Sequence, residues 1–137
     1  MKKTAFTLME LMVVVVILGM LAAVIAPNIL GKNDEAKEKL TCIQLKNLNN
    51  SFKSFKIDNG TYPKTEEGVK SLIKNPNTSK YKNFTNGGYL NNDKEPMDPW
   101  GNPFIYVNTK GKITLLSYGS DGVEEGEGID IFLNECK

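Results

Sequence analysis

Six carboxylates fall between Asp121 and Glu135, at positions 121, 124, 125, 127, 130 and 135, and no lysine lies among them. Carboxylates placed this closely repel unless a cation or solvent intervenes. Gly119, Gly122, Gly126 and Gly128 let the same stretch fold back on itself. Hard oxygen ligands on a pliable loop suit Ca²⁺, which takes roughly six to eight oxygens from side chains and carbonyls. The D-x-D-x-D-G core of an EF-hand is absent. From these residues alone, a calcium loop and a solvated acidic turn remain equal readings. Paired carboxylates for glycoside hydrolysis would need a cleft, and nothing in this chain reads as cleft-forming.

Glu10 is the second residue with chemistry to explain. It is the only charge in the 21 residues from Phe6 to Ala26, FTLMELMVVVVILGMLAAVIA. A carboxylate inside a spanning helix costs about 2–3 kcal/mol at mid-membrane, so it needs a partner. The third feature is the pair Cys42 and Cys136. Two thiols cannot alone make a Cys₄ zinc site or an iron–sulfur cluster. Export to an oxidising compartment would permit a bridge between them, pinning the tail to a helix. The 137 residues contain no histidine, which removes Ser-His-Asp and Cys-His nucleophiles and His-ligated zinc. With no other recognisable nucleophile, the chain reads as non-enzymatic. Its 17 lysines and 16 acids leave a formal charge of +1, which provides no basic field for nucleic acid.

These residues are positioned by few elements. As a helix, Phe6–Ala26 is roughly 30 Å long, the thickness of a bilayer's hydrocarbon core. Lys2 and Lys3 precede it, so the N-terminus should face the cytoplasm and the rest should be exported after a single crossing. Pro27 predicts a kink or local melting near Ala23–Pro27. Ala36, Leu40 and Ile43, then Leu45, Leu48, Phe52 and Phe55, follow helical spacing, with a shift of face between the two sets. Asn59-Gly60 should end that helix. Thr65 reads as the N-cap of a short helix with Val69, Leu72 and Ile73 on its buried stripe. Residues 77–88 read as a polar loop, and Pro96–Phe104 as turns around a packing Trp100. Phe104–Val107 and Ile113–Leu116 predict a hairpin turning at Gly111, with a third strand near Tyr89-Leu90. The fold class is α+β: a long N-terminal helix, half transmembrane and half amphipathic, packed on a small antiparallel sheet.

Lys-Lys-Thr-Ala followed by Phe6-Thr7-Leu8-Met9-Glu10-Leu11 resembles the class III signal of type IV pilins and pseudopilins. Further along stand Tyr62-Pro63-x-Thr65-Glu66-x-Gly68, Gly88-Tyr89-Leu90, Asp98-Pro99-Trp100-Gly101-Asn102-Pro103-Phe104-x-Tyr106 and Ser117-Tyr-Gly-x-Asp121-Gly. Together they resemble the major pseudopilins of the type II secretion system, the GspG family, over nearly the whole chain.

The resemblance implies a pilin-like fold with a leader at 1–5, a transmembrane and assembly helix at 6–30 and a periplasmic globular domain at 31–137. It implies cleavage between Ala5 and Phe6 by a prepilin peptidase and N-methylation of Phe6. Glu10 would then pair with the amine of a neighbouring subunit. It implies one structural Ca²⁺ in the terminal loop, held by side-chain oxygens of Asp121 and Asp130, the backbone carbonyl of Tyr118, and Glu127 or the Gly126 carbonyl. The implied function is that of a major subunit of a periplasmic filament promoting export of folded proteins. Its partners would be further copies, minor pseudopilins and an inner-membrane assembly platform. The chain would sit in the inner membrane as a single-pass protein with its C-terminal domain in the periplasm. Major pseudopilins generally lack a bridge like Cys42–Cys136, whereas type IV pilins staple their C-terminal region with one. A type IV pilin, with an adhesive, motility or DNA-uptake role, is therefore the nearest alternative. A membrane-anchored periplasmic binding domain is a more distant one.

Overall fold

The computed structural model describes residues 6–137, with the backbone alone for residues 22–32. The expected leader, Ala5 included, lies outside the described residues. Two compact units divide the chain, Met1–Ala36 and Lys37–Lys137.

Helix α1 covers Leu8–Asn59. Its backbone stays helical through Pro27, so the local melting expected there is not found. Proline forfeits one backbone donor, and the turns on either side carry the helix past it. In the first unit, the large apolar side chains from Phe6 to Leu21 are exposed. Among the described residues no helix is long and apolar enough to cross a membrane. The apolar run itself continues into residues whose side chains are not described.

In the second unit, α1 supplies the core stripe. Leu45, Leu48, Phe52 and Phe55 are buried, while Leu40 and Ile43 stay exposed, which is the change of face that the spacing predicted. Phe52 stacks on Tyr106 with ring centroids 4.2 Å apart. Phe55 meets Tyr81 edge-on at 4.9 Å. Such pairs add about 0.5–1.5 kcal/mol beyond the area they bury. Tyr81 is fully buried, although it lies in the stretch whose composition predicts only a polar loop. Asn75 Nδ2 donates to its carbonyl, and its hydroxyl donates to Glu67 Oε2 at 2.6 Å.

The short helix expected after Thr65 is instead two 3-10 turns, Thr65–Glu67 and Val69–Leu72. They divide at Gly68, whose φ of +56° no continuous helix permits. The Thr65 hydroxyl does not cap the turn. It accepts from the Asn108 amide and donates to the Asn108 carbonyl, tying the turn to the sheet.

Three antiparallel strands follow, β1 Ile105–Thr109, β2 Lys112–Ser117 and β3 Ile131–Phe132, in the order β1-β2-β3. Lys110 and Gly111 both take positive φ, the geometry of a two-residue hairpin turn. The third strand therefore comes from the tail and not from Tyr89-Leu90. The Tyr89 amide is committed to the Leu72 carbonyl, and its own carbonyl accepts from Ser51 Oγ. That segment is pinned between α1 and the 3-10 turns and has no ladder to offer the sheet.

Burial, reinforced by Glu67, pushes the Tyr81 phenol well above its ordinary value, and burial does the same for Tyr106. A group whose folded pKa is raised contributes stability that is complete below its unfolded pKa and is lost as pH rises towards the folded one. The second unit should therefore lose stability progressively above about pH 10, the unfolded tyrosine value. Thermal unfolding against pH checks this. Tyr81→Phe should flatten the alkaline limb, and an unchanged limb would contradict the assignment.

Candidate functional site

The first candidate is the start of α1. The Thr7 amide and hydroxyl both donate to Glu10 Oε2 at 3.1 Å, and the Glu10 amide donates to Thr7 Oγ1 at 3.3 Å. This reciprocal arrangement is a capping box. It gives the Glu10 carboxylate two donors within its own chain and places its charge at the positive end of the helix. The signal was present in the sequence as Thr7-x-x-Glu10 ahead of an apolar run.

The second candidate is the loop from Tyr118 to Asp130. Asp121 organises it from within. Its Oδ2 accepts from the Gly128 amide at 2.7 Å and its Oδ1 from the Val123 amide at 3.2 Å. Those donors, Gly128 first, hold its pKa below the usual carboxylate value. Asp130 Oδ2 accepts from the Glu125 amide at 3.1 Å. Asp130 Oδ1 is buried with no hydrogen-bond partner among the described residues. Burial raises the Tyr118 phenol, helped by the charges of Glu124 and Asp130. The Glu127 side chain stands exposed. Gly119 takes φ +67°, and a Cβ there would strike the Ile129 carbonyl, so only glycine lets the two limbs approach.

Among the described residues, no three acidic, cysteine or histidine side chains converge closely enough to hold a metal ion. The donor set still fits an oxygen-ligated cation. The unpaired Asp130 oxygen is an acceptor that burial makes costly to leave unmatched. Asp121 keeps lone pairs beyond those its amides use. Any ion would take the rest of its shell from backbone carbonyls or water.

The loop is held at both ends. At its start stands Asp98, buried at 4% exposure. Asp98 Oδ1 accepts from the Asn102 and Trp100 amides at 2.8 and 3.1 Å, and Oδ2 accepts from Ser117 Oγ at 2.6 Å. Ser117 Oγ then accepts from the Gly119 amide, and Asn102 Nδ2 donates to the Gly119 carbonyl at 2.9 Å. The Asp98–Asn102 turn is thus a bracket that grips the root of the loop. Trp100 is half-buried against the core, with the Lys37 ammonium 5.7 Å from its ring centre. At the far end, Ile131 pairs with Ser117 across the β2–β3 ladder. Beyond it, Cys136 is joined to Cys42 of α1 by a disulfide.

Comparison with known proteins fits this geometry. Residues 28–134 match the family model described as type II secretion system (T2SS), protein G. Residues 1–26 match the prokaryotic N-terminal methylation motif. The chain belongs to the type II secretion protein G family. Among curated family members, the type II secretion system core protein G of Vibrio cholerae is 41% identical over 129 residues, covering 93% of this chain and 87% of that one. The core protein G of Pseudomonas aeruginosa is 42% identical over 132 residues, covering 94% and 92%. The crystal structure of the major pseudopilin from the type 2 secretion system of enterohaemorrhagic Escherichia coli superposes with a TM-score of 0.64 at 30% identity. It covers 74% of this chain and 86% of that one.

The chain is accordingly a major pseudopilin of type II secretion, a structural and non-enzymatic subunit. In this pseudopilin Tyr118, Asp121, Glu127 and Asp130 all stand on one loop, with the Glu127 side chain exposed. The residues that spacing alone passed over are Asp98, Ser117 and Asn102. They were visible as a turn string and the end of a strand, but nothing local says that a turn 19 residues upstream holds the loop.

Proposed function

We propose that this pseudopilin is stored in the inner membrane by the apolar segment from Phe6, with residues 31–137 in the periplasm. A prepilin peptidase cuts between Ala5 and Phe6 and the new amine is methylated, a reading supported by the match to the methylation motif. The carboxylate of Glu10 then takes the Phe6 amine of an adjacent copy. The observation that carries this is a single charge in the first turn of α1, among the exposed apolar side chains from Phe6 to Leu21. The copies build a helical filament from an inner-membrane platform, with minor pseudopilins as further partners.

In the periplasmic domain, side-chain oxygens of Asp121 and Asp130 would hold Ca²⁺, with the Tyr118 carbonyl and either Glu127 or the Gly126 carbonyl as further ligands. The support is the buried, unpaired oxygen of Asp130 at the end of a loop folded around Asp121. When bound, the ion neutralises the clustered carboxylates and ties the two limbs of the loop. Thermal unfolding of the full chain in detergent, with calcium and with chelator, tests this. A ligand that binds only the folded state raises Tm, by an amount equivalent to about 2.7 kcal/mol at a hundredfold excess over Kd. The rise should vanish in Asp121→Ala. Equal Tm values with calcium and chelator in the parent chain would remove calcium from the reading.

A further inference from the structure

At its far end the acidic loop is closed by only a short ladder. Residues 118–130 are closed at their base by the ladder partners Ser117 and Ile131, and β3 contributes only two pairs, Ser117↔Ile131 and Leu116↔Phe132. Two ladder pairs are a marginal clasp, and short edge elements open first in local unfolding. Asp130, the carboxylate with the unpaired oxygen, immediately precedes that clasp. The segment beyond it is anchored by the Cys42–Cys136 bond to α1 and by Lys46 Nζ donating to the Lys137 carbonyl at 3.0 Å. By contrast, the start of the loop is gripped by Asp98 and Asn102, which do not depend on the tail. The disulfide is also within reach. Both cysteines line an open groove with Ile43, Lys46, Ile129 and Asp130.

We propose that Cys42–Cys136 is a redox-addressable clamp on the cation loop, so that forming the bond raises the loop's affinity for calcium. The inference rests on the calcium reading above. The covalent step is thiol–disulfide exchange with a periplasmic disulfide donor. One protein thiolate attacks the donor's disulfide, and the second displaces it from the mixed intermediate. The two cysteines lose two electrons and two protons, and the donor leaves as a dithiol. Closing the bond fixes the Asp130 end of the loop before the ion arrives. The cation then meets a preformed site and does not have to order the tail as it binds.

Calcium titration by calorimetry on the full chain in detergent tests the clamp, using the oxidised protein, the dithiothreitol-reduced protein and the Cys42→Ser/Cys136→Ser double variant. Binding should weaken roughly tenfold or more on reduction and equally in the double variant, within the usual range of coupling between sites. Equal affinity in all three would overturn the clamp and leave the calcium reading standing. Binding in none of them would overturn the calcium reading and the clamp with it. Linkage supplies a second readout that does not need a stable reduced fold. In a glutathione redox buffer, saturating calcium should shift the cysteine pair towards the disulfide by the same factor. If calcium binds the oxidised chain and leaves that equilibrium unmoved, the clamp is excluded.

Discussion

Asp98→Ala is expected to lower the melting temperature of the periplasmic domain by at least about 10 °C. The carboxylate is buried and accepts from the Asn102 amide, the Trp100 amide and the Ser117 hydroxyl. Alanine leaves those donors without an acceptor in a region water does not readily enter. Each orphaned group costs roughly 1–3 kcal/mol, so a total of about 3–5 kcal/mol is reasonable. For a unit of this size, 1 kcal/mol moves Tm by about 4 °C or more. The loss should spread to the acidic loop, because Ser117 and Asn102 both hold Gly119. Calcium should therefore rescue Asp98→Ala less than it stabilises the parent. Asp98→Asn keeps an oxygen for the two amides and should lie between them. A melting temperature for Asp98→Ala within a few degrees of the parent would show that the bracket is dispensable.

Glu10→Ala should abolish filament formation while leaving the domain's melting temperature and its calcium response unchanged. Glu10 belongs to the unit Met1–Ala36, whereas the domain's core is built from residues of Lys37–Lys137. In the proposed filament, the apolar helices would exchange lipid for one another, and the charge of the neighbouring amine would become costly without its partner. Breaking a buried charge pair by deleting one member costs about 3–5 kcal/mol. At about 1.4 kcal/mol for each factor of ten, that is roughly two to three orders of magnitude in subunit association. Thr7→Ala removes only the capping-box contacts and should cost about 1 kcal/mol, so it should weaken assembly without ending it. Electron microscopy of overproduced filaments, with cross-linking to count multimers, reads all three chains. Abundant filaments from Glu10→Ala would remove the charge pair from the assembly mechanism.

The chain's own residues set out much of this in advance, and they did so where the signal is local. The apolar run with one acid, the Leu45–Phe55 stripe, the Lys110-Gly111 turn and the glycine-spaced acids of 121–130 are each written within a few consecutive turns or a single loop. Helical periodicity and the sign of φ belong to neighbouring residues, so spacing is enough to read them. The filament family was legible for a related reason, because its signal and its proline–tryptophan string are contiguous motifs.

Tertiary structure decided which distant segments meet. The third strand could have come from Tyr89-Leu90. It comes from Ile131–Phe132, because the Tyr89 backbone is already spent on Leu72 and Ser51. The 3-10 turn at Thr65 is tied to the sheet because the Thr65 hydroxyl bonds Asn108, 43 residues away. Tyr81 was hidden in a polar stretch until Phe55 and Glu67 gave it a place. Composition permitted the Cys42–Cys136 bond, but only the docking of the tail on α1 brings those sulfurs together. Asp98 looked like part of a turn, and it became the root of the acidic loop once Ser117 lay against it. The sequence by itself determined the elements and the residues that carry charge, since those depend on near neighbours. Which oxygen is left unpaired at Asp130, and which bond ties the tail to α1, depended on contacts between residues far apart in the chain, and spacing along the chain does not encode them.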